Sequence, residues 1–205
     1  MEIEYKGSNS VIIATKKTSI VVDPLSEAKS TKSVKVTDRV VVATQPKLLT
    51  TDGASLVIDG PGEYEINNIS IIGVGADVFG DNTDGNGTVY LIKTGGVSVA
   101  ITGHVKAPLS EEQLEAIGVV DVAVVPVGGA VTLDASQAAG VVRQLGPKLV
   151  IPTFFDGDGL SYEKDLMGLE PFCKALGVQA TESIPKWKQK NGLPEALTVV
   201  QLDRS

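Results

Sequence analysis

Apolar and polar positions alternate from the first residues. Glu2-Ile3-Glu4-Tyr5 puts Ile3 and Tyr5 on one face and two carboxylates on the other, the period of a half-buried strand. Ser10 to Ala14 and Ser19 to Val22 are further β-rich runs, separated by Lys6-Gly7-Ser8-Asn9 and Thr15-Lys16-Lys17-Thr18, so the chain opens as a meander of hairpins. From Arg39 to Ala43 the alternation gives way to a continuous apolar run, which predicts a strand buried on both faces. Leu56 to Ile58, Tyr64 to Ile66, Ile69 to Val74, Thr88 to Lys93 and Val97 to Thr102 continue the pattern. The half up to about residue 102 therefore reads as sheet.

After Thr102 the period changes to that of helices. Ser110-Glu111-Glu112-Gln113 is a capping box, with Leu109 and Leu114 placed as a hydrophobic staple, and it opens a helix through Ile117 that Gly118 closes. The apolar run Val122 to Pro126 predicts a buried strand, followed by the loop Val127-Gly128-Gly129-Ala130-Val131. Asp134-Ala135-Ser136-Gln137 caps a second helix with Ala138, Val141, Val142 and Leu145 on one face, and Gly146-Pro147 stops it. Lys148 to Pro152 is another buried strand. This β-α-β-α-β order calls for parallel strands with right-handed crossovers. Leu166 to Leu176 predicts one more helix and Leu197 to Leu202 a last edge strand. The expected organisation is one domain over 1–205, with a β-rich half to about 102 and a βαβ half from about 103.

Composition narrows the chemistry more than the fold. The chain has 205 residues, 42% hydrophobic, enough to bury a proper core. It contains one histidine and one cysteine, His104 and Cys173, far apart and without any Cys-x-x-Cys or His-x-x-x-His spacing. Zinc centres of the common kinds are built from imidazole, thiolate and carboxylate, so no resident metal or other cofactor is expected. The formal net charge of -7 argues against bulk electrostatic binding of nucleic acid. The basic cluster Lys186-Trp187-Lys188-Gln189-Lys190 is a local exception, read as a solvated edge or loop with Trp187 partly packed beneath lysine stems. The N-terminus reads as strand, not as a basic-then-apolar leader, and no apolar run approaches the about 20 residues of a membrane span. A cytoplasmic location is the resulting expectation, with no membrane partner.

Seven segments carry a resemblance: Val21-Val22-Asp23-Pro24, Ile58-Asp59-Gly60-Pro61-Gly62-Glu63-Tyr64-Glu65, Asn86-Gly87-Thr88-Val89-Tyr90, Leu109 to Leu114, Val125-Pro126-Val127-Gly128-Gly129, Thr132-Leu133-Asp134-Ala135 and Val150-Ile151-Pro152. In this order they make the chain resemble the metallo-β-lactamase superfamily, in the branch of small metal-dependent hydrolases that includes the ascorbate-6-phosphate lactonases. The resemblance implies an α/β fold, an αββα sandwich of two mixed sheets face to face with helices outside, and a site at one edge of the sheets. It also makes a homo-oligomer the expected assembly.

Carried over residue by residue, the family's metal ligands fall on Ser8, on Gln45, Lys47, Leu49 and Thr50 of Thr44-Gln45-Pro46-Lys47-Leu48-Leu49-Thr50, at or near His104, and on Phe154. None keeps its usual residue type, and Lys47 brings an ammonium to where a cation would sit, which opposes metal. The reading is a degenerate member that has lost zinc and acts as a small-anion-binding or assembly protein. In it Gly128, Gly129 and the helix start at Asp134 offer backbone N–H groups and Lys47 a charge, although the Asp134 carboxylate itself occupies that helix end. The alternative is a divergent hydrolase of lactones or phosphate esters drawing on His104, Asp23 and Glu63, with Asp23 or Asp134 orienting His104 and Tyr64 beside Glu63. A nucleic-acid-processing role is disfavoured by the net charge. Each candidate also has a plainer role: Asp23 as a turn residue, Glu63 as a loop anchor, His104 as a locally bonded strand end, Cys173 as helix packing. Asp81 to Gly87 looks calcium-like, but in an EF-hand alignment Gly80 and Leu91 fall where carboxylates belong, so it reads as a polar hairpin tip.

Overall fold

The computed structural model describes residues 1–30, 32–79, 86–157 and 159–205, apart from the side chain at 191. Residues 80–85, most of the expected hairpin tip, lie outside the described residues. The first half supplies strands β1 (Glu2–Gly7), β2 (Ser10–Ala14), β3 (Ser19–Val22), β4 (Val40–Val42), β5 (Leu56–Ile58), β6 (Gly62–Ile66), β7 (Ile69–Asp77), β8 (Asn86–Thr94) and β9 (Val97–Ile101). The second half alternates α1 (Glu111–Ile117), β10 (Val122–Pro126), α2 (Ala135–Leu145), β11 (Leu149–Thr153) and α3 (Leu169–Leu176), then adds the short strands β12 (Trp187–Lys188) and β13 (Thr198–Val199).

Two mixed sheets result. The first has the order β12-β1-β2-β3-β4-β5 and the second β13-β11-β10-β9-β8-β7-β6. β1, β2 and β3 are antiparallel, whereas β3, β4 and β5 run parallel, as do β9, β10, β11 and β13. Period-two alternation assigns each strand's faces. Ile20, Val22, Val40 and Val42 of the first sheet meet Tyr90, Ile92, Val99, Ile101, Val122, Val124 and Ile151 of the second in one core between the sheets. The intervening Leu91, Ala100, Ala123, Val125 and Val150 face outward onto Ala138, Val141, Val142, Phe172 and Leu176 of the helices. β9, β10 and β11 are buried throughout and mostly apolar because both their faces are covered.

The outer face of the first sheet is dressed differently. Ile12, Val21 and Val41 are covered by Val36, Val34, Leu49 and Ala54, which come from irregular chain between β3 and β5. Residues 23–39 have no helical period, and Pro24 with the Ser/Thr/Lys-rich stretch after it favours extended backbone over helix. All three α-helices therefore lie outside the second sheet.

The capped elements match their sequence boundaries. Ser110 and Gln113 form the capping box of α1, Asp134 and Gln137 that of α2, and Gly146 ends α2 in the left-handed conformation. Three boundaries shift. α3 starts at Leu169, not Leu166, because residues 166–168 are pulled into extended bonds: Met167 N–H donates to Gly128 O at 2.8 Å and Asp156 N–H to Met167 O at 2.9 Å. The final strand is confined to Thr198–Val199. The basic cluster supplies β12, whose Trp187 is buried and pairs with Ile3, while Lys186 bridges Glu2 and Glu4 at 2.7 and 3.4 Å. No helix among the described residues is long and apolar enough to cross a membrane.

Candidate functional site

At one end of the sandwich the β1–β2 turn and the C-terminal ends of β3, β4, β9 and β11 converge. Asp23, directly after β3, is fully buried there. Its Oδ2 accepts from Asn9 Nδ2 at 2.5 Å and Thr44 Oγ1 at 2.7 Å, and its Oδ1 from Thr44 N–H at 2.7 Å. Asn9 Oδ1 in turn accepts from Thr153 Oγ1 at 2.9 Å, so one carboxylate ties three strand ends of the first sheet to β11 of the second. Burial pushes the Asp23 carboxyl up to about 6, against the Thr44 and Asn9 hydrogen bonds and the charge of His104, which pull it down.

The same rim holds backbone strain. Ser8, Asp23 and Phe154 have φ of 56, 45 and 49°, a region L-residues other than Asn and Asp seldom adopt. Such strain persists only where surrounding structure over-determines it, and it concentrates at functional sites. Gly103 (φ 58°) allows a close approach to the end of β4, since a Cβ there would lie 2.6 Å from Thr44 Cβ and Oγ1.

His104 follows Gly103 and is fully buried. Its Nε2 donates to Glu27 Oε2 at 2.8 Å, because a carboxylate can only accept, while its Nδ1 is buried without a partner. Glu27 Oε1 accepts from Lys47 Nζ at 3.1 Å, completing a chain from buried imidazole through carboxylate to a half-exposed ammonium. Burial pushes Glu27 up, but His104 and Lys47 outweigh it and hold its carboxyl below the ordinary glutamate range. Phe154, almost wholly buried, stands edge-on to His104 at 4.7 Å and tilts against Tyr162 at 4.8 Å. Burial raises the Tyr162 phenol to about 12. Above this floor opens a cleft of about 320 Å³ lined by Glu27, Lys47, Phe79, Phe154, Tyr162 and Lys164.

The structure gathers Ser8, Asp23, Gln45, Lys47, His104 and Phe154 at this end. Gln45 is buried, with Nε2 donating to Phe79 O at 3.1 Å and Oε1 unpartnered. Leu49 turns away and packs on the outer face of the first sheet, and Thr50 follows it out of the 3-10 turn Pro46–Leu48. Glu63 is exposed on the edge strand β6, where Tyr64 Oη donates to Gly60 O at 3.1 Å, so neither reaches the cleft lining. Asp134 is exposed and accepts from Gln137 N–H at 2.8 Å as the α2 cap. Gly129 N–H already donates to Leu133 O, and a Cβ at Gly128 would fall 2.3 Å from Phe154 O. These glycines therefore let the loop pass the end of β11. Cys173 packs in α3 among the helix contacts.

Glu27 is the residue sequence reasoning missed. It stands in the aperiodic 23–39 segment with no motif around it, placed by the Ser8 hydroxyl, which accepts its N–H at 3.1 Å.

A zinc centre at this rim would need donors that are free. His104 is one nitrogen ligand, Asp23 already accepts three hydrogen bonds, and Glu27 is shared between an imidazole and an ammonium. No group of three or more His, Cys, Asp or Glu side chains among the described residues is arranged to hold a metal ion. The donor set does not fit the metal that the fold implies.

A family model described as "Beta-lactamase superfamily domain" matches residues 2–154. Among solved structures, a candidate Zn-dependent hydrolase of the metallo-β-lactamase superfamily from Thermotoga maritima is similar at 26% identity, with 98% of each chain covered and a TM-score of 0.78. A metallo hydrolase from Ignicoccus hospitalis shares the fold at 18% identity (91% of this chain, 98% of that chain, TM-score 0.62). So does a candidate metal-dependent hydrolase from Parabacteroides distasonis at 17% (98% and 92%, TM-score 0.64). A search of curated proteins finds no significant match. With the fold, the rim of strand ends and the matched segment in agreement, this chain belongs to the beta-lactamase superfamily and carries the metallo-β-lactamase fold.

Proposed function

We propose that this protein is a metal-free member of its superfamily that binds a small anionic molecule in the cleft above Phe154. The observation that carries the reading is the Lys47–Glu27–His104 chain, which puts an ammonium and a buried imidazole at the rim of strand ends, onto which the resemblance to metal-dependent hydrolases maps the metal ligands. Lys47 donates one of its three ammonium hydrogens to Glu27, its side chain is 49% exposed, and Lys164 lines the same cleft, so cationic donors remain for a carboxylate or phosphate. Aromatic and aliphatic walls from Phe79, Phe154, Tyr162 and Leu166 suit the body of such a ligand.

The test combines elemental analysis with thermal shift on the whole chain offered zinc, manganese and iron, then a panel of small carboxylates and phosphates. Less than about a tenth of an equivalent of metal, no metal-dependent rise in melting temperature, and a rise with at least one anion that Lys47→Ala removes are expected, since a ligand selective for the native state stabilises it. Near-stoichiometric metal would overturn the metal-free reading, and an anion panel without effect would overturn the binding reading.

A second reading, a divergent hydrolase of lactones or phosphate esters, is favoured by one observation: Glu27 lies at the cleft with His104 2.8 Å behind it and Lys47 3.1 Å beside it, the layout of a general base with an orienting group and a neighbouring cation. Hydrolysis lost in Glu27→Gln with unchanged melting would favour it.

A further inference from the structure

One patch on each outer face of the sandwich carries charge opposite to the other's, and that pairing goes beyond the cleft. On the outside of the first sheet, where no helix lies, a groove of about 470 Å³ is lined by Lys6, Lys32, Lys35 and Arg39 over an apolar floor of Ile12, Ala14 and Val34. The acidic side chain in its lining, Glu4, is already held by Lys6 at 3.0 Å and Lys186 at 3.4 Å. Among the described residues Lys32, Lys35 and Arg39 take part in no ion pair, so three cations face the groove uncompensated in a chain whose net charge is -7.

The opposite outer face carries the complement. α1 lies on the second sheet, anchored by Gln113 Nε2 to Gly75 O at 2.9 Å, and turns Glu111, Glu112 and Glu115 to solvent. Gly118 (φ 71°) then ends the helix so that Val119 projects, 80% exposed, more than any other large hydrophobic residue described. An acidic ridge tipped by an apolar side chain matches a basic groove with an apolar floor in both charge and polarity.

We propose that this groove receives the α1 ridge of a second copy of the chain, Glu111, Glu112 and Glu115 meeting Lys32, Lys35 and Arg39 while Val119 seats on Ile12, Ala14 and Val34. The two patches lie on opposite faces, so the contact is heterologous: each copy keeps one free groove and one free ridge, and association runs past the dimer toward rings or short filaments.

Analytical ultracentrifugation of the full chain across concentration tests this, at about 0.01 M and about 1 M salt, where the Debye length is roughly 30 Å and 3 Å. Concentration-dependent growth at low salt, at least about tenfold weaker at high salt, is expected. Lys32→Glu/Lys35→Glu/Arg39→Glu should be monomeric, and so should Glu112→Lys/Glu115→Lys/Val119→Ser, each with an unchanged circular dichroism spectrum. Mixing the two should restore a 1:1 complex, because one variant keeps its ridge and the other its groove, an outcome that general destabilisation cannot produce. A wild type that stays monomeric at all concentrations, or association that survives the groove reversal, would overturn the proposal. So would a monomer that instead retains a labelled 20-nucleotide DNA through the groove, which would assign the surface to a polyanion.

Discussion

At the scale of residues, Asp23 shows how a buried carboxylate sets the pH behaviour of the rim. With its carboxyl raised to about 6 in the fold and near 4 in the unfolded chain, the unfolded state loses this proton first as pH rises. Its contribution to stability is therefore complete below about pH 4 and is lost progressively up to about pH 6, a change of roughly 3 kcal/mol. Glu27 has the opposite sign: its depressed carboxyl contributes above the ordinary glutamate range and loses that contribution as pH falls through its folded value. Urea midpoints measured between pH 4 and pH 7 should decline across the Asp23 window, and Asp23→Asn should flatten that stretch. An unchanged slope in the variant would assign the titration to another group. The sequence marks Asp23 as the turn after a strand but not as a hub, because its partners Asn9, Thr44 and Thr153 come from distant segments. Glu27 carried no signal at all, since a lone glutamate in aperiodic chain acquires a role only when Ser8 and His104 are folded around it.

Among elements, legibility follows how local the determining interaction is. α1 and α2 begin and end where their capping residues stand because those hydrogen bonds span three or four residues. β12 was not assigned as a strand because two residues carry no period and its partner β1 lies about 180 residues away in the chain. The first turn of α3 was lost for the same reason, to the bond between Met167 and Gly128. α2 also bears on the site, since its N-terminal N–H groups point toward the loop after β10 and its positive end is occupied by the Asp134 carboxylate. Asp134→Ala should therefore lower stability by about 1 kcal/mol in urea titration. It should leave the response of the cleft to anions unchanged, and a weakened response would tie the loop, through its cap, to ligand binding.

For the molecule as a whole, the features that define the superfamily's frame are separable from those that define its chemistry. The two-sheet sandwich was legible because strand periods, caps and the order of short segments are distributed along the chain, whereas the content of the rim depended on seven scattered positions. Of those, Phe154 and Lys47 fill the end of the sandwich with a ring and an ammonium, and Leu49 was recruited into the outer covering of the first sheet. At that rim Asp23 and its hydrogen bonds tie the strand ends of the two sheets together.

The edge pairing of β12 on β1 also bears on how the chain is made. Ile3 is synthesised long before its partner Trp187, and before Ile184 and Leu202, which pack in the same core. Until then the nascent chain presents the bare edge of β1, a template for pairing with other chains. A chain cut after Ser183 should scatter light on dilution from urea, while the intact protein refolds clear; a clear, cooperatively folding fragment would show that the first sheet needs no late strand. Closing the first sheet then waits on the synthesis of β12, so its earliest strand stays unpaired on one edge for longest.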